Sequence, residues 1–519
     1  MRLRILPLVC LFVVASPLLR AQHAKVDANA EARAARAYDA AVKGGPLTLR
    51  AFLDQFPKGA DLHVHLSGAV YAETFLKDAA EDGDCVNTRT LSIAKPPCSA
   101  PLQPAKELEP PATTAEQDLY DRLVDAFSMR SFVPTQRFSG HDQFFSTFDR
   151  FSGLSDRHKG EWVDEVVRRA ADQNQQYLEL MQTPTFAHAI KIADQSGWNP
   201  DFAAMRRELL AHGLRDEVKT DLNDVLTARA ARMRLEDCST PQAEPACSVT
   251  VRYLYQILRG FPPQQVFAQA LLGFETVQAA MEAHDDTWVG INFVMPEDGF
   301  LSMRDYTLQM KMVGFLHALY PQVHITLHAG ELAPGMVPSE GLRFHIRQAV
   351  ELAHAERIGH GVDVMYETDA NGLLREMAAR HVMVEINLSS NAGILGVTGD
   401  RHPFPIYLAH HVPVALSTDD EGVSRIDLTH EYVRAALTYH LSYAQLKMLA
   451  RTGLEHAFLP GASLWAREDV FTEPAKECRA EALGGARPGL ACKAFLAGSQ
   501  KASAQWELER RFRAFEAKF

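Results

Sequence analysis

Eight short runs of apolar and β-branched residues recur along the chain, at 60–66, 176–182, 249–257, 288–294, 324–328, 357–362, 382–387 and 412–417. Each is followed by polar residues. Between the later runs the apolar positions take helical spacing, at 301–319, 341–354, 371–380 and 404–411. Strands alternating with helices predict a parallel α/β sheet, and eight repeats predict closure into a (β/α)8 barrel of the TIM type. The connections 70–175 and 183–248 are far too long for plain loops. They follow the first and second runs, so they leave the carboxyl end of the barrel, where this fold binds substrates. Both are expected to form lid and wall there. Residues 28–56 read as helical with a break at Gly44-Gly45-Pro46, 428–458 read as helical, and 474–519 form an appended tail. The organisation expected is a leader at 1–21, a helical segment at 22–56, the barrel at 57–459 and an extension at 460–519.

The leader rests on composition. Arg2 and Arg4 precede an almost wholly apolar stretch at 5–19, and Ala21 supplies a small residue near the cut. That is the pattern of a signal peptide, and the apolar run is shorter than the roughly 20 residues of a membrane span. An uncleaved anchor is the other reading; with cleavage the protein is exported, periplasmic or secreted, and has no membrane contact. Besides Cys10 in the leader there are six cysteines, and they fall into neighbouring pairs, Cys85 with Cys98, Cys238 with Cys247 and Cys478 with Cys492. Fifteen pairings are formally open. Local bridges are the expected ones, as in an oxidising compartment, six unrelated thiols being the alternative. None has the CxxC spacing of a zinc or redox site. The formal charge of −12 becomes more negative once Arg2, Arg4 and Arg20 leave with the leader. Without a basic patch a nucleic-acid partner is excluded.

The chemistry sits at the ends of the runs. In Asp61-Leu62-His63-Val64-His65 the two histidines are two apart on a strand, so both point to one side and can converge on a divalent metal. His328 ends the fifth run in the manner of a third ligand, and Ala329-Gly330 lets the chain turn and present Glu331. His360 ends the sixth run between Gly359 and Gly361. Asp419 and Asp420 end the eighth, where adjacent buried carboxylates need a compensating positive charge such as a metal. A single motif of this kind carries little weight. Their placement on one rim, at runs one, five, six and eight, carries the argument.

PKGADLHVHLSGA, HAGE, RIGHG and STDD resemble, in order, the signature blocks of the adenosine/AMP deaminase branch of the amidohydrolase superfamily. The likeness runs over about 56–459, and export and cysteines give it the character of the secreted, growth-factor-related members or their bacterial counterparts. The resemblance implies that His63, His65, His328 and Asp419 hold one zinc, other divalent ions being open, with a position left for water. It implies that His360 orients that water and takes or stabilises its proton, assisted by Asp419. Glu331, protonated, would donate to the ring nitrogen, and Asp420 would bond the imidazole side of a purine. The substrate implied is a small purine nucleoside, adenosine or 2′-deoxyadenosine, converted to the 6-oxo purine and ammonia. Two positions depart from the pattern. Ser67 stands where an acid often contacts ribose, and Met295 where a glycine N–H often meets the purine. Adenine, an N6-modified adenosine or a pterin-like ring therefore stay open, as does a secreted binding or signalling protein with a relic site. The base-editing zinc deaminases are excluded, because HxE…PCxxC is absent. Phe144, Phe145, Phe148 and Phe151 match a lid segment or, equally, one apolar helix face. The sequence leaves the oligomeric state open.

Overall fold

The computed structural model describes residues 17–519, with side chains from residue 29 onward; the leader expected at 1–21 lies outside the residues whose side chains are described. Eight parallel strands follow one another around a barrel: β1 (Gly59–His65), β2 (Gln175–Gln182), β3 (Thr250–Leu258), β4 (Trp288–Val294), β5 (His324–Ala329), β6 (Arg357–His360), β7 (Met383–Ile386) and β8 (Val414–Leu416). Nearly every strand residue is buried, as expected where helices cover the outside and side chains fill the inside. The ring closes at its carboxyl end. His65 N donates to Asp419 O at 3.0 Å and Asp419 N to His63 O at 2.8 Å. Closure thus brings the first and last motifs together through their own backbones. All eight predicted strands are present, with edges shifted by at most two residues. The helix expected at 341–354 is split into a 3-10 turn (Ser339–Arg343) and a helix (His345–Glu351), because Phe344 between them has φ −153°.

The first insertion carries helices Ala72–Glu81, Thr114–Ala126, Gly140–Phe151 and Lys159–Asp172, with a small antiparallel sheet of Cys85–Asn87, Ser92–Ala94 and Leu102–Pro104. It covers the carboxyl end, as expected. The second insertion differs from expectation: only Thr183 from it lines the chamber. Its helices Ala187–Ser196 and Val218–Leu235 turn away and pack on Pro263–Glu282 and Lys159–Asp172. Their apolar faces, Ala189 with Ile192 and Val225 with Ala228, are buried there. The expected cysteine pairs are disulfides, 85–98, 238–247 and 478–492. At the other end of the barrel the described N-terminal segment meets the C-terminal helix. Phe56 packs against Phe512 and Phe515 at 5.5 and 5.9 Å, and Lys447 bridges Glu31 and Glu516.

Inside the barrel, below the rim, Arg357 of β6 is wholly buried and donates to Glu385 Oε1 of β7 at 2.7 Å and Glu179 Oε2 of β2 at 2.6 Å. Its guanidinium lies 3.8 Å from the Phe458 ring centre. Removing the cation strands two buried carboxylates. Arg357→Ala is expected to cost about 3–5 kcal/mol of stability, read by urea denaturation; a change under about 1 kcal/mol, the range of a surface ion pair, would contradict this role.

Candidate active site

The rim motifs converge as their positions imply. One ligand atom each of His63, His65, His328 and Asp419 lies within 4.8 Å of every other, and all four residues are buried. Each imidazole is held from behind. His63 Nδ1 meets Glu385 Oε2 at 2.6 Å, His65 Nδ1 meets Gln256 Oε1 at 2.9 Å, and His328 Nδ1 meets Asn292 Oδ1 at 2.7 Å. An Nδ1–H donated to an oxygen leaves the Nε2 lone pair facing the centre, as metal-binding histidines require. His63 Nε2 is buried with no hydrogen-bond partner. That orphaned nitrogen, among two more imidazoles and a carboxylate, fits a divalent cation.

The electrostatics agree. Burial opposes charge on His63, yet the Asp419 and Glu385 carboxylates on either side push its pKa up to about 10. Burial and the neighbouring imidazoles hold His328 well below its usual range. Asp419, although buried, is held well below the carboxylate range by the His63 and His65 imidazoles beside it. A site that retains a proton on one imidazole to balance its carboxylates will exchange that proton for a metal.

Glu331 is placed by its backbone. Gly330 N and Glu331 N donate to the two oxygens of Glu297 at 2.9 and 2.7 Å, and His345 Nδ1 donates to the same carboxylate at 2.5 Å. Burial first, then the charge of Asp419, raises the Glu331 carboxyl well above its usual range. Its Oε1 lies 3.6 Å from His360 Nδ1. The His360 tautomer is set by a chain that begins at an obligate donor. Phe404 N donates to His402 Nδ1 at 3.1 Å, so His402 Nε2–H donates to Asn391 Oδ1 at 3.0 Å. Asn391 Nδ2 then donates to His360 Nδ1 at 3.0 Å. The His360 proton is thereby on Nε2, which faces Asp419 Oδ2 at 3.9 Å. Burial drives the His360 pKa down to about 3, so the ring is neutral.

Asp420 Oδ1 is buried with no hydrogen-bond partner, and burial beside Asp419 raises its pKa well above the usual range. Gly68 is required here, since a Cβ would fall 1.5 Å from that oxygen. Gly359 has a like reason, as its Cβ would lie 2.6 Å from His63 Cε1. Ser67 and Met295 both line the chamber. Met295 has φ 86°, a left-handed conformation that costs a methionine roughly 1–3 kcal/mol. Its thioether lies over Gly260, where a Cβ would be 2.8 Å from Cε. The chain thus has a glycine-like backbone at this position, with the thioether laid over Gly260. The chamber is about 600 Å³ and is walled by Phe144, Phe145, Phe148 and Phe151 of the lid helix, whose capping box joins Ser139 and Asp142. Phe144 and Phe151 are also buried, so the lid and packing readings both hold. The residues that hold these groups from behind, Glu385, Gln256, Asn292, Glu297, His345, Asn391 and His402, were not singled out from the sequence.

The sequence profile of the family described as adenosine deaminase matches residues 161–464, more than half of the chain, and the chain belongs to that family. The match takes in His328, Glu331, His360, Asp419 and Asp420, while His63 and His65 precede it. The chain is 33% identical over 176 residues to an adenosine deaminase of Escherichia coli strain SMS-3-5, spanning 31% of this chain and 50% of the relative. It is 37% identical over 137 residues to that of strain SE11, spanning 26% and 38%. The chain thus spans about half or less of the length of these curated relatives. Among solved structures, an Arabidopsis N6-mAMP deaminase superposes with TM-score 0.51 at 21% identity, over 79% of this chain and 95% of that one. An amidohydrolase from Burkholderia ambifaria with bound Zn does so with TM-score 0.51 at 20% identity, over 79% and 88%. These two share the fold.

Proposed function

We propose that this protein hydrolyses the exocyclic C6–N bond of a 6-aminopurine nucleoside, adenosine or 2′-deoxyadenosine, giving the 6-oxo purine and ammonia. The observation that carries this reading is one chamber in which a three-histidine, one-aspartate cluster, a proton-holding Glu331 and an unpartnered Asp420 face the same space. His63, His65, His328 and Asp419 would hold one divalent ion, and zinc, the ion in the Burkholderia amidohydrolase, suits such a donor set. When bound, that ion supplies Lewis-acid polarisation of the attacking water. His360 offers Nε2–H to the water and orients it. Its Nδ1 is occupied by Asn391, so Asp419 Oδ2 is the group placed to accept the water proton. Glu331 delivers its proton to the ring nitrogen beside C6, which makes that carbon electrophilic. Oxygen adds at C6, the amino group takes up a proton, and the C6–N bond breaks. Asp420, kept protonated by its surroundings, can donate to the imidazole side of the purine, and Ser67 can bond a ribose hydroxyl.

Substrate choice follows from charge. No lysine or arginine is among the described residues that line the chamber, whereas Asp149 and Asp156 are. Phosphate sites recruit such cations or a helix N-terminus. The nucleoside is therefore expected to be preferred over its 5′-phosphate, with a kcat/KM for adenosine at least tenfold above that for AMP. A panel of adenosine, 2′-deoxyadenosine, adenine, AMP and N6-methyladenosine on the mature protein tests both points. A clear AMP advantage would overturn the preference, and no turnover of any aminopurine would overturn the proposal. Three disulfides support residence in an oxidising compartment, and no helix among the described residues is long and apolar enough to cross a membrane. Export through the leader at 1–21 belongs to the same proposal, as does the division into residues 22–56, 57–459 and 460–519.

A further inference from the structure

Two of the helices that wall the chamber carry, with the turn that precedes one of them, a second cluster of ligand-type side chains that has no part in the chemistry above. Asp78 and Glu81 lie on the helix Ala72–Glu81, His158 ends the 3-10 turn Asp156–His158, and Glu161 lies in the first turn of Lys159–Asp172. One ligand atom from each lies within 4.8 Å of every other. Two ligands that share an ion at about 2.1 Å can be no more than about 4.2 Å apart, so small side-chain shifts suffice to bind one.

Two features point to a cation here. Asp78 is fully buried; its Oδ2 accepts from Trp162 Nε1 at 2.6 Å, while its Oδ1 accepts no hydrogen bond and faces His158 Nδ1 at 3.5 Å. Glu161 Oε2 stands 3.2 Å from the same nitrogen. His158 is itself buried, and its other nitrogen, Nε2, meets Asp82 Oδ1 at 3.2 Å. Arg157 also donates to that Asp82 oxygen, and Lys77 lies 3.5 Å from Glu81. A neutral His158 that gives its Nε2–H to Asp82 directs the Nδ1 lone pair at two carboxylate oxygens. Carboxylate, histidine and metal in series is how ligating imidazoles are usually oriented. Without an ion, that lone pair would face two carboxylate oxygens with nothing between them.

We propose that Asp78, Glu81, His158 and Glu161 form a second divalent-cation site, for zinc or a similar first-row ion, between two of the helices that wall the substrate chamber. One imidazole with three carboxylates suits such an ion better than the all-oxygen shells of calcium or magnesium. Bound there, the ion clamps the helix Ala72–Glu81 to Lys159–Asp172. Trp162 and Phe75, which meet edge-on at 5.5 Å, come one from each of these helices and both line the chamber. The clamp thus fixes that part of the wall.

The test is a metal count on the full mature chain, stripped with chelator, re-equilibrated with excess Zn²⁺ and freed of loose metal. Elemental analysis is expected to find two equivalents. Glu81 and Glu161 are half-exposed, so Glu81→Gln/Glu161→Gln should fold normally and retain one equivalent. His63→Ala, which disables the other centre, should also retain one. This count does not depend on the reaction proposed above. In the wild type the second equivalent should raise Tm, and the double variant should lack that rise. Equal zinc in wild type and double variant, whatever the total, would overturn the site.

Discussion

Glu331→Gln is expected to retain the fold and the metal yet lose roughly 10²- to 10⁴-fold in kcat, the range for a missing general acid. The substitution is close to isosteric. The contacts that place residue 331 come from its backbone, through Gly330 N and Glu331 N to Glu297, and these survive it. What is lost is the proton. Burial and Asp419 hold the Glu331 carboxyl well above its usual range, so it carries a transferable proton near neutral pH, and an amide carries none. Substrate binding should change little, so the loss should fall on kcat more than on KM. Steady-state kinetics beside elemental analysis of the same preparation decide it. Near-normal turnover with full metal would remove Glu331 from the mechanism, whereas loss of metal would mean the substitution had disturbed the ligand cluster.

How far this site was legible depends on the kind of residue. His63, His65, His328, His360, Asp419 and Asp420 each end an apolar run, and a polar residue at a strand end on the carboxyl rim of a barrel is conspicuous. Period-two geometry was enough to put His63 and His65 on one side. The groups behind the ligands left a fainter trace. Gln256, Asn292 and Glu385 are polar residues inside otherwise apolar strands, which signals that each has a partner. Which imidazole each one meets depends on the stagger between neighbouring strands, and no single strand encodes that. The chain from Phe404 through His402 and Asn391 to His360 was less legible still, because it joins two helices, a loop and a strand end whose relative positions only the folded barrel defines. The cysteine pairs were readable because they are local. The second insertion was misplaced because its start at the carboxyl rim suggested a wall. Its helices instead follow their own apolar faces outward, onto the helices that already cover the barrel. Met295 shows the limit of motif matching. The position retains the positive φ of a glycine although the residue is not one, so backbone function and side-chain identity have separated.

His63→Ala is expected to empty the catalytic centre and abolish activity, with a larger effect on metal affinity than the roughly 10- to 100-fold that loss of an outer-shell partner costs. His63 contributes more than one bond. Its Nε2 is the buried atom without a partner, and its Nδ1 occupies Glu385 Oε2, whose other oxygen is taken by Arg357 and Thr326. Removing the ring therefore takes away a proposed ligand and leaves a buried carboxylate oxygen unsatisfied, so some loss of Tm should accompany the loss of metal. Glu385→Gln separates the two effects. An amide oxygen can still accept from His63 Nδ1 but weakens the ring as a donor, so metal affinity should fall within the 10- to 100-fold range while the ligand set stays complete. The ordering of wild type, Glu385→Gln and His63→Ala in a chelator competition is the decisive readout. If His63→Ala binds metal at the centre as tightly as the wild type and retains activity, His63 is not a ligand. The convergence of β1 and β8 would then serve only to close the barrel.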